Sequence, residues 1–144
     1  MVKILTDNGH TVHWWMRSQV AIDHLRTMHH NPHYLKTVKF NMKLIRLYEK
    51  IEDCIRESNV LLIGIPSAFI VDTISHLPKT IFQDKIFLSA IKGILPNQNV
   101  LLNEYLANEF DISLHDYCCI AGPCHAEEIA GEKGNIKREK YSDK

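Results

Sequence analysis

Residues 58–67, SNVLLIGIPS, decide the fold class. Residues 60–65 form an unbroken apolar run, with polar Ser58 and Asn59 before it and Pro66 after it. A strand with one solvated face alternates apolar and polar side chains, whereas a strand covered by helices on both faces stays apolar throughout, as parallel strands in α/β proteins do. The run therefore predicts a central parallel strand. Gly64 permits close approach to the backbone, and Pro66 stops the strand and opens the following helix at its first position. Ligands of open α/β sheets bind just past the carboxyl ends of such strands, which is where Pro66, Ser67 and Phe69 fall.

Outward from this strand, apolar runs and helical periodicities alternate. Upstream, residues 2–6 read as the end of an amphipathic helix stopped at Asn8-Gly9, and residues 11–16, TVHWWM, as a strand rich in β-branched and aromatic residues. Ser18 caps a helix carrying Ile22, Leu25 and Met28, which Asn31-Pro32 breaks. A short strand is expected near residues 44–47, then a helix with Ile51, Cys54 and Ile55 on one face. Downstream, Ile70, Val71 and Ile74 mark a helix, KIFLSAI at 85–91 a strand, 97–110 a helix, and YCCIA at 117–121 a last strand. Right-handed crossovers between such elements give a doubly wound, mostly parallel sheet with helices on both faces. Residues 131–144, GEKGNIKREKYSDK, are charged and poor in apolar groups, and read as a disordered tail.

A chain of 144 residues, 45% hydrophobic and 24% charged, matches one ordinary domain. Lys plus Arg equals Asp plus Glu at 17 each, so no net field favours nucleic acid or an anionic membrane. The four cysteines form no C-x-x-C pair, the apolar runs are too short to span a bilayer, and MVKILTDNGH is unlike a secretory signal. A cytoplasmic protein with reduced thiols is the simplest reading. Cys118 and Cys119 are adjacent in a strand, so they point to opposite faces and read as small core residues. His24, His29, His30 and His33 are crowded, but Pro32 breaks the helix that would align His29 with His33, and no metal site is expected.

Three strand ends carry unusual punctuation: Ile65-Pro66-Ser67, Ile91-Lys92-Gly93 and Ala121-Gly122-Pro123-Cys124. All should open on one edge of the sheet. Lys92 either delivers a cation into a cleft there or is a solvated surface lysine, and Gly93 beside it leaves room for a ligand. Gly122-Pro123-Cys124, before the helical-looking HAEEIA, either offers backbone N–H groups to an anion or is a plain strand-to-helix turn.

Five segments, NGHTVHWWMR at 8–17, NPHYL at 31–35, SNVLLIGIPSAF at 58–69, SAIKGI at 89–94 and AGPCHAEEIA at 121–130, together resemble the amino-terminal domain of NAD(P)-dependent glycerol-3-phosphate dehydrogenase. The resemblance covers residues 1–130 and implies a Rossmann-like fold. The implied activity interconverts sn-glycerol 3-phosphate and dihydroxyacetone phosphate by hydride transfer to or from NAD or NADP, a step of glycerol phosphate metabolism and phospholipid biosynthesis. It further places Arg17 at the adenosine end of the cofactor, Phe69 beside the dinucleotide, and Lys92 against both cofactor and substrate. Gly122 and Cys124 fall on the substrate side, with Cys124 replacing the serine or threonine often found in bacterial members, and Ala126 falls on the cofactor side. Of Trp14 and Trp15, one is expected in the core and the other near the adenosine edge.

Two family features have no counterpart among the 144 residues. The six glycines, at positions 9, 64, 93, 122, 131 and 134, form no G-x-G-x-x-G, so the expectation is a Rossmann sheet lacking its first strand and phosphate-binding turn. The family's catalytic lysine belongs to a carboxyl-terminal domain, so no catalytic residue is assigned and the chain alone is expected to be inactive. In the strand order 3-2-1-4-5-6 the absent strand would lie between those at 11–16 and 60–65, leaving open edges that favour a homo-oligomer or aggregate. The alternatives are a non-catalytic remnant or binding module of the family, or another Rossmann dehydrogenase.

Overall fold

The computed structural model describes residues 1–32, 37–91 and 93–120. The expected βαβ rhythm is present, in two parallel sheets. Helix α1 (Val2–Asp7) leads into β1 (Val12–Trp15), α2 (Gln19–Met28) and β2 (Ile45–Tyr48), and β1 pairs with β2 in parallel, Val12 opposite Ile45. Helix α3 (Ile51–Arg56) crosses to β3 (Val60–Ile63), followed by α4 (Ser67–Ile74), β4 (Ile86–Ser89), α5 (Leu102–Phe110) and β5 (Tyr117–Cys119). The second sheet has the order β3-β4-β5, all parallel. Among the described residues β1 and β3 do not pair, so the sheet is divided at the position that the Rossmann order gives its first strand. No helix among the described residues is long and apolar enough to cross a membrane.

Local chemistry accounts for the boundaries. Helix α1 ends where Gly9 takes φ +83°; Gly9 N–H donates to Thr6 O at 3.1 Å and His10 N–H to Leu5 O at 3.0 Å, the paired bonds of a glycine-terminated helix. Ser18 caps α2, its hydroxyl accepting from Ala21 N–H at 3.3 Å. Pro66 is the N-cap of α4 and Ser67 its first helical residue, one position later than expected. Helix α5 begins at Leu102, not at 97, because residues 95–100 close a turn. Asn97 and Asn99 occupy the left-handed region there, at φ +72° and +54°, which asparagine tolerates better than most residues.

Each sheet has its own core. Leu25, Phe40 and Ile45 are buried together in the β1-β2 half, with Trp14, Met16, Val38 and Leu47 packed against them. Trp14 packs against Phe40 with ring centroids 5.4 Å apart and planes tilted by 60°, while Trp15 donates from Nε1 to Glu49 O at 2.9 Å. The larger core gathers Leu61 and Phe87 from the sheet, Ile70 and Ile74 from α4, Leu102, Leu106 and Phe110 from α5, and Ile55 from α3. Burying each such side chain is worth about 1.5–3 kcal/mol.

Three expectations are corrected. First, β3 is an edge strand among the described residues, and its apolar run is not buried on both faces. Leu61 is buried but Val60 is 51% exposed, because α4 and α5 cover only the face that carries Leu61, Phe87 and Ser89. Secondly, Cys118 and Cys119 are both exposed: β5 is the other edge of its sheet, and neither core encloses them. Thirdly, the strands at 60–65, 85–91 and 117–121 are shorter than their apolar runs, since pairing stops at Ile63, Ser89 and Cys119. Residues 131–144, and with them the tail, lie outside the described residues.

Candidate functional site

Pairing places Ile63 opposite Ser89 and Ser89 opposite Cys119, so β3, β4 and β5 end level with one another. The next residues continue the alignment: Ala90 N–H donates to Ile63 O at 2.9 Å, and Ile120 N–H to Ser89 O at 2.7 Å. In the sequence Pro66, Lys92 and Gly122 each come three residues after this level, and the strands that precede them finish at one edge of the sheet. Lys92, Gly122, Cys124 and Ala126 themselves lie outside the described residues.

Ser89 is a polar group that the sequence reading passed over. It is fully buried at the end of β4, and its hydroxyl accepts from Ile91 N–H at 3.2 Å, bending the chain just before Lys92. A lone serine inside the apolar run KIFLSAI was the available signal, because a hydroxyl on a covered strand face needs a specific partner. Gly93, at φ +82°, holds a left-handed conformation that a side chain would strain. Its glycine is thus required by the turn itself. Around Gly64 an added Cβ would meet nothing within 4 Å, so the backbone there faces open space.

Phe69 sits in the first turn of α4 and is 51% exposed at this edge, its N–H donating to Pro66 O at 2.9 Å. Arg17 lies on the other sheet, between β1 and the capped start of α2, exposed and without a hydrogen bond or ion pair among the described residues. The structure therefore groups Phe69 with the ends of β4 and β5 but leaves Arg17 on the separate β1-β2 half. The division between the halves is bordered by Cys54 on α3. Burial pushes its thiol up from 9.0 to about 11, and the Ser58 hydroxyl donates to the Cys54 carbonyl oxygen at 2.7 Å. A thiol held protonated in this way is a poor nucleophile near neutral pH.

Other candidate features lie elsewhere. A recess of about 270 Å³ bounded by Lys79, Asp84, Lys85, Asp111 and Asp116 sits where β4 and β5 begin, at the opposite edge from Phe69. His24 Nε2 and His30 Nδ1 approach to 3.5 Å edge to ring, and among the described residues no three His, Cys, Asp or Glu side chains converge as a metal site would require. His33 is outside the described residues.

Parallel strands joined by helices, with their carboxyl ends level and an open rim beyond them, define a Rossmann-like α/β domain. The sequence pattern of the family "NAD-dependent glycerol-3-phosphate dehydrogenase N-terminus" matches residues 1–135, and the chain belongs to that family. It is 28% identical over 130 residues to glycerol-3-phosphate dehydrogenase [NAD(P)+] of Bacillus anthracis and 26% identical to that of Bacillus cereus (strain G9842). In both cases the match covers 90% of this chain but only 38% of the relative, so the chain spans well under half the length of the curated relatives it matches. The crystal structure of glycerol-3-phosphate dehydrogenase (gpsA) from Coxiella burnetii shares the fold at a TM-score of 0.78, with 22% identity, over 90% of this chain and 38% of that one.

Proposed function

We propose that this chain supplies the cofactor-side domain of an NAD(P)-dependent oxidoreductase that interconverts sn-glycerol 3-phosphate and dihydroxyacetone phosphate. The observation that supports it most is the level rim formed by β3, β4 and β5, whose strands are followed in sequence by the family's segments IPSAF, AIKGI and AGPCHAEE. The rim suits a dinucleotide in two respects: Gly64 faces open space, and Phe69 presents an exposed ring against which a flat heterocycle can pack. When bound, the nicotinamide would accept or donate the hydride.

In this reading Arg17 meets the adenosine end, Phe69 flanks the dinucleotide, and Lys92 touches cofactor and substrate phosphate together. Gly122 and Cys124 face substrate, Ala126 faces cofactor, and residues 131–144 lie beyond the domain. The partners are the two phosphorylated three-carbon substrates, in the cytoplasm, with neither nucleic acid nor membrane. Nothing among the 144 residues matches the glycine turn that would hold a pyrophosphate, and no general acid or base is assigned. The chain by itself is therefore expected to bind dinucleotide weakly and not to turn over.

The test joins residues 1–130 to the first strand and glycine loop, and to the carboxyl-terminal domain, of the Bacillus anthracis relative. The hybrid should oxidise NADH or NADPH in the presence of dihydroxyacetone phosphate. Lys92→Met should leave its melting temperature nearly unchanged, as surface substitutions usually do, and lower kcat/KM by roughly 30-fold to several thousand-fold through loss of a charge-assisted contact worth about 2–5 kcal/mol. A hybrid that folds but binds neither cofactor refutes the proposal, as does a Lys92→Met hybrid with full activity for the role of Lys92.

A further inference from the structure

At the carboxyl edge of the smaller sheet two exposed cations stand close in register. Trp15 lies opposite Tyr48 at the last paired level of β1 and β2, and Met16 N–H still donates to Tyr48 O at 3.0 Å. Arg17 and Lys50 each come two residues after that level, one entering α2 and the other entering α3. The Trp15 indole joins the two exits: its Nε1–H donates to Glu49 O at 2.9 Å, which holds the residue before Lys50 against the end of β1. Among the described residues neither the Arg17 nor the Lys50 side chain has a hydrogen bond or an ion pair. By contrast Lys3, Arg26 and Arg56 each pair with a carboxylate one helical turn away, on Asp7, Asp23 and Asp53. Folding does not account for Lys50. It is the N-cap of α3 and makes no capping hydrogen bond, because an N-cap side chain must accept a hydrogen bond and lysine carries only donors. A cation at the amino end of a helix is also unfavourable for the helix dipole.

We propose that Lys50 joins Arg17 in binding the 2′-phosphate of an NADP-type cofactor, so that the chain prefers NADP(H) to NAD(H). This rests on the cofactor reading above, in which Arg17 meets the adenosine end and Lys50 has no role. An arginine after the second Rossmann strand accommodates a 2′-phosphate, and the next strand of the sheet delivers Lys50 to the same edge. A phosphate monoester carries a charge of about −1.5 to −2 near pH 7, which one cation balances only in part and two cations match. The two side chains are complementary for this purpose: a guanidinium suits two phosphate oxygens at once, and an ammonium adds a compact charge for another. Glu49 is the one carboxylate among residues 16–18 and 49–50, so the two cations outweigh it. Asp53, one turn into α3, is already paired with Arg56 at 3.0 Å. The ribose of NAD brings a neutral hydroxyl to this position and gains little from a second cation.

The test needs neither turnover nor a pyrophosphate site, because half-cofactors carry the adenosine end alone. The full 144-residue chain is titrated with adenosine 2′,5′-bisphosphate and with adenosine 5′-monophosphate, following the Trp15 indole N–H by nuclear magnetic resonance. The bisphosphate should bind at least about tenfold more tightly, the worth of a charged hydrogen bond. Lys50→Gln should remove most of that advantage and leave the monophosphate affinity and the melting temperature unchanged, while Lys50→Arg should keep the advantage. Lys43→Gln, an exposed lysine before the opposite end of β2, should change neither affinity, which separates a local contact from a general loss of positive charge. Equal affinities for the two probes overturn the inference, as do an advantage that survives Lys50→Gln, one that falls equally with Lys43→Gln, and a loss shared by both probes. In those cases the monophosphate still binds and the cofactor reading stands. A Lys50→Gln chain that no longer folds gives Lys50 a structural role and overturns the inference too. Binding of neither probe at millimolar concentration overturns the inference together with the placement of the adenosine end.

Discussion

Replacing Leu25 with alanine should unfold one half of the molecule and leave the other standing. Leu25 is completely buried, and its core shares no buried residue with the larger one around Phe87. In this half Leu25, Phe40 and Ile45 form the buried cluster and Ile22 is also buried on α2, for a gross gain of about 6–12 kcal/mol at about 1.5–3 kcal/mol each. Most of that is offset by the entropy of ordering β1, α2 and β2, and a two-stranded sheet is marginal by itself. A fully buried leucine-to-alanine change costs about 2–5 kcal/mol, enough to exhaust what is left. Both tryptophans, Trp14 and Trp15, lie on β1, so their fluorescence reports on this half alone. In urea, the fluorescence transition should precede the far-ultraviolet dichroism transition. With m near 1–2 kcal/mol/M, Leu25→Ala should lower the first midpoint by about 1 M or more, or abolish native fluorescence in water, and move the second little. Leu106→Ala, in the larger core at 1% exposure, should do the reverse. Coincident transitions that shift together in both variants would refute the division into two cores.

Three shorter predictions concern the site and its border. In the hybrid enzyme, Arg17 follows the second Rossmann strand, where an acidic residue selects NAD and an arginine accommodates a 2′-phosphate; Arg17→Glu should weaken NADPH roughly 10- to 100-fold, the worth of a charged hydrogen bond, and spare NADH, as measured by fluorescence titration. Alkylation near neutral pH followed by peptide mapping should label the exposed Cys118 and Cys119 and leave Cys54 unmodified until denaturant is added. The Cys54 shift also has a sign in stability: the folded thiol keeps its proton from pH 9.0 to about 11 while the unfolded one ionises, so the contribution is complete below pH 9 and is lost as pH rises across that window. A melting temperature that rose between those pH values would contradict it.

The βαβ rhythm was readable because it is written in local chemistry. Gly9 can take a left-handed conformation, Ser18 has an amide to cap, and Pro66 cannot continue a strand; each marks a boundary within a residue of where it falls. The exposure of Val60 and of Cys118 was not readable. An apolar side chain states that its face gains from being covered, whereas whether anything covers it is decided by elements far away in sequence. The turn at 95–100 escaped for a related reason, since Leu101 and Leu102 continue a helical period backward across asparagines whose preference for the left-handed region is weaker than glycine's. At the site, Phe69 could be placed from Pro66 alone. Ser89 could not, because its role depends on a hydrogen bond to Ile91 that spacing does not encode.

The division of the sheet does not affect its two sides equally, and this bears on what would repair it. On β1, Met16 N–H bonds Tyr48 O at 3.0 Å, so Trp15 turns its N–H away from β2, and β1 is also in contact with α3. β1 is thereby packed against a further part of its own chain. On β3 the corresponding groups of Val60 and Leu62 meet no described residue. A parallel strand entering between the halves would have to move α3 relative to β1, while on β3 it would displace no described residue. Restoring a first strand should therefore engage β3 before β1. On the proposed reading, the β3 rim with Phe69 would then be completed before the β1 side that carries Arg17.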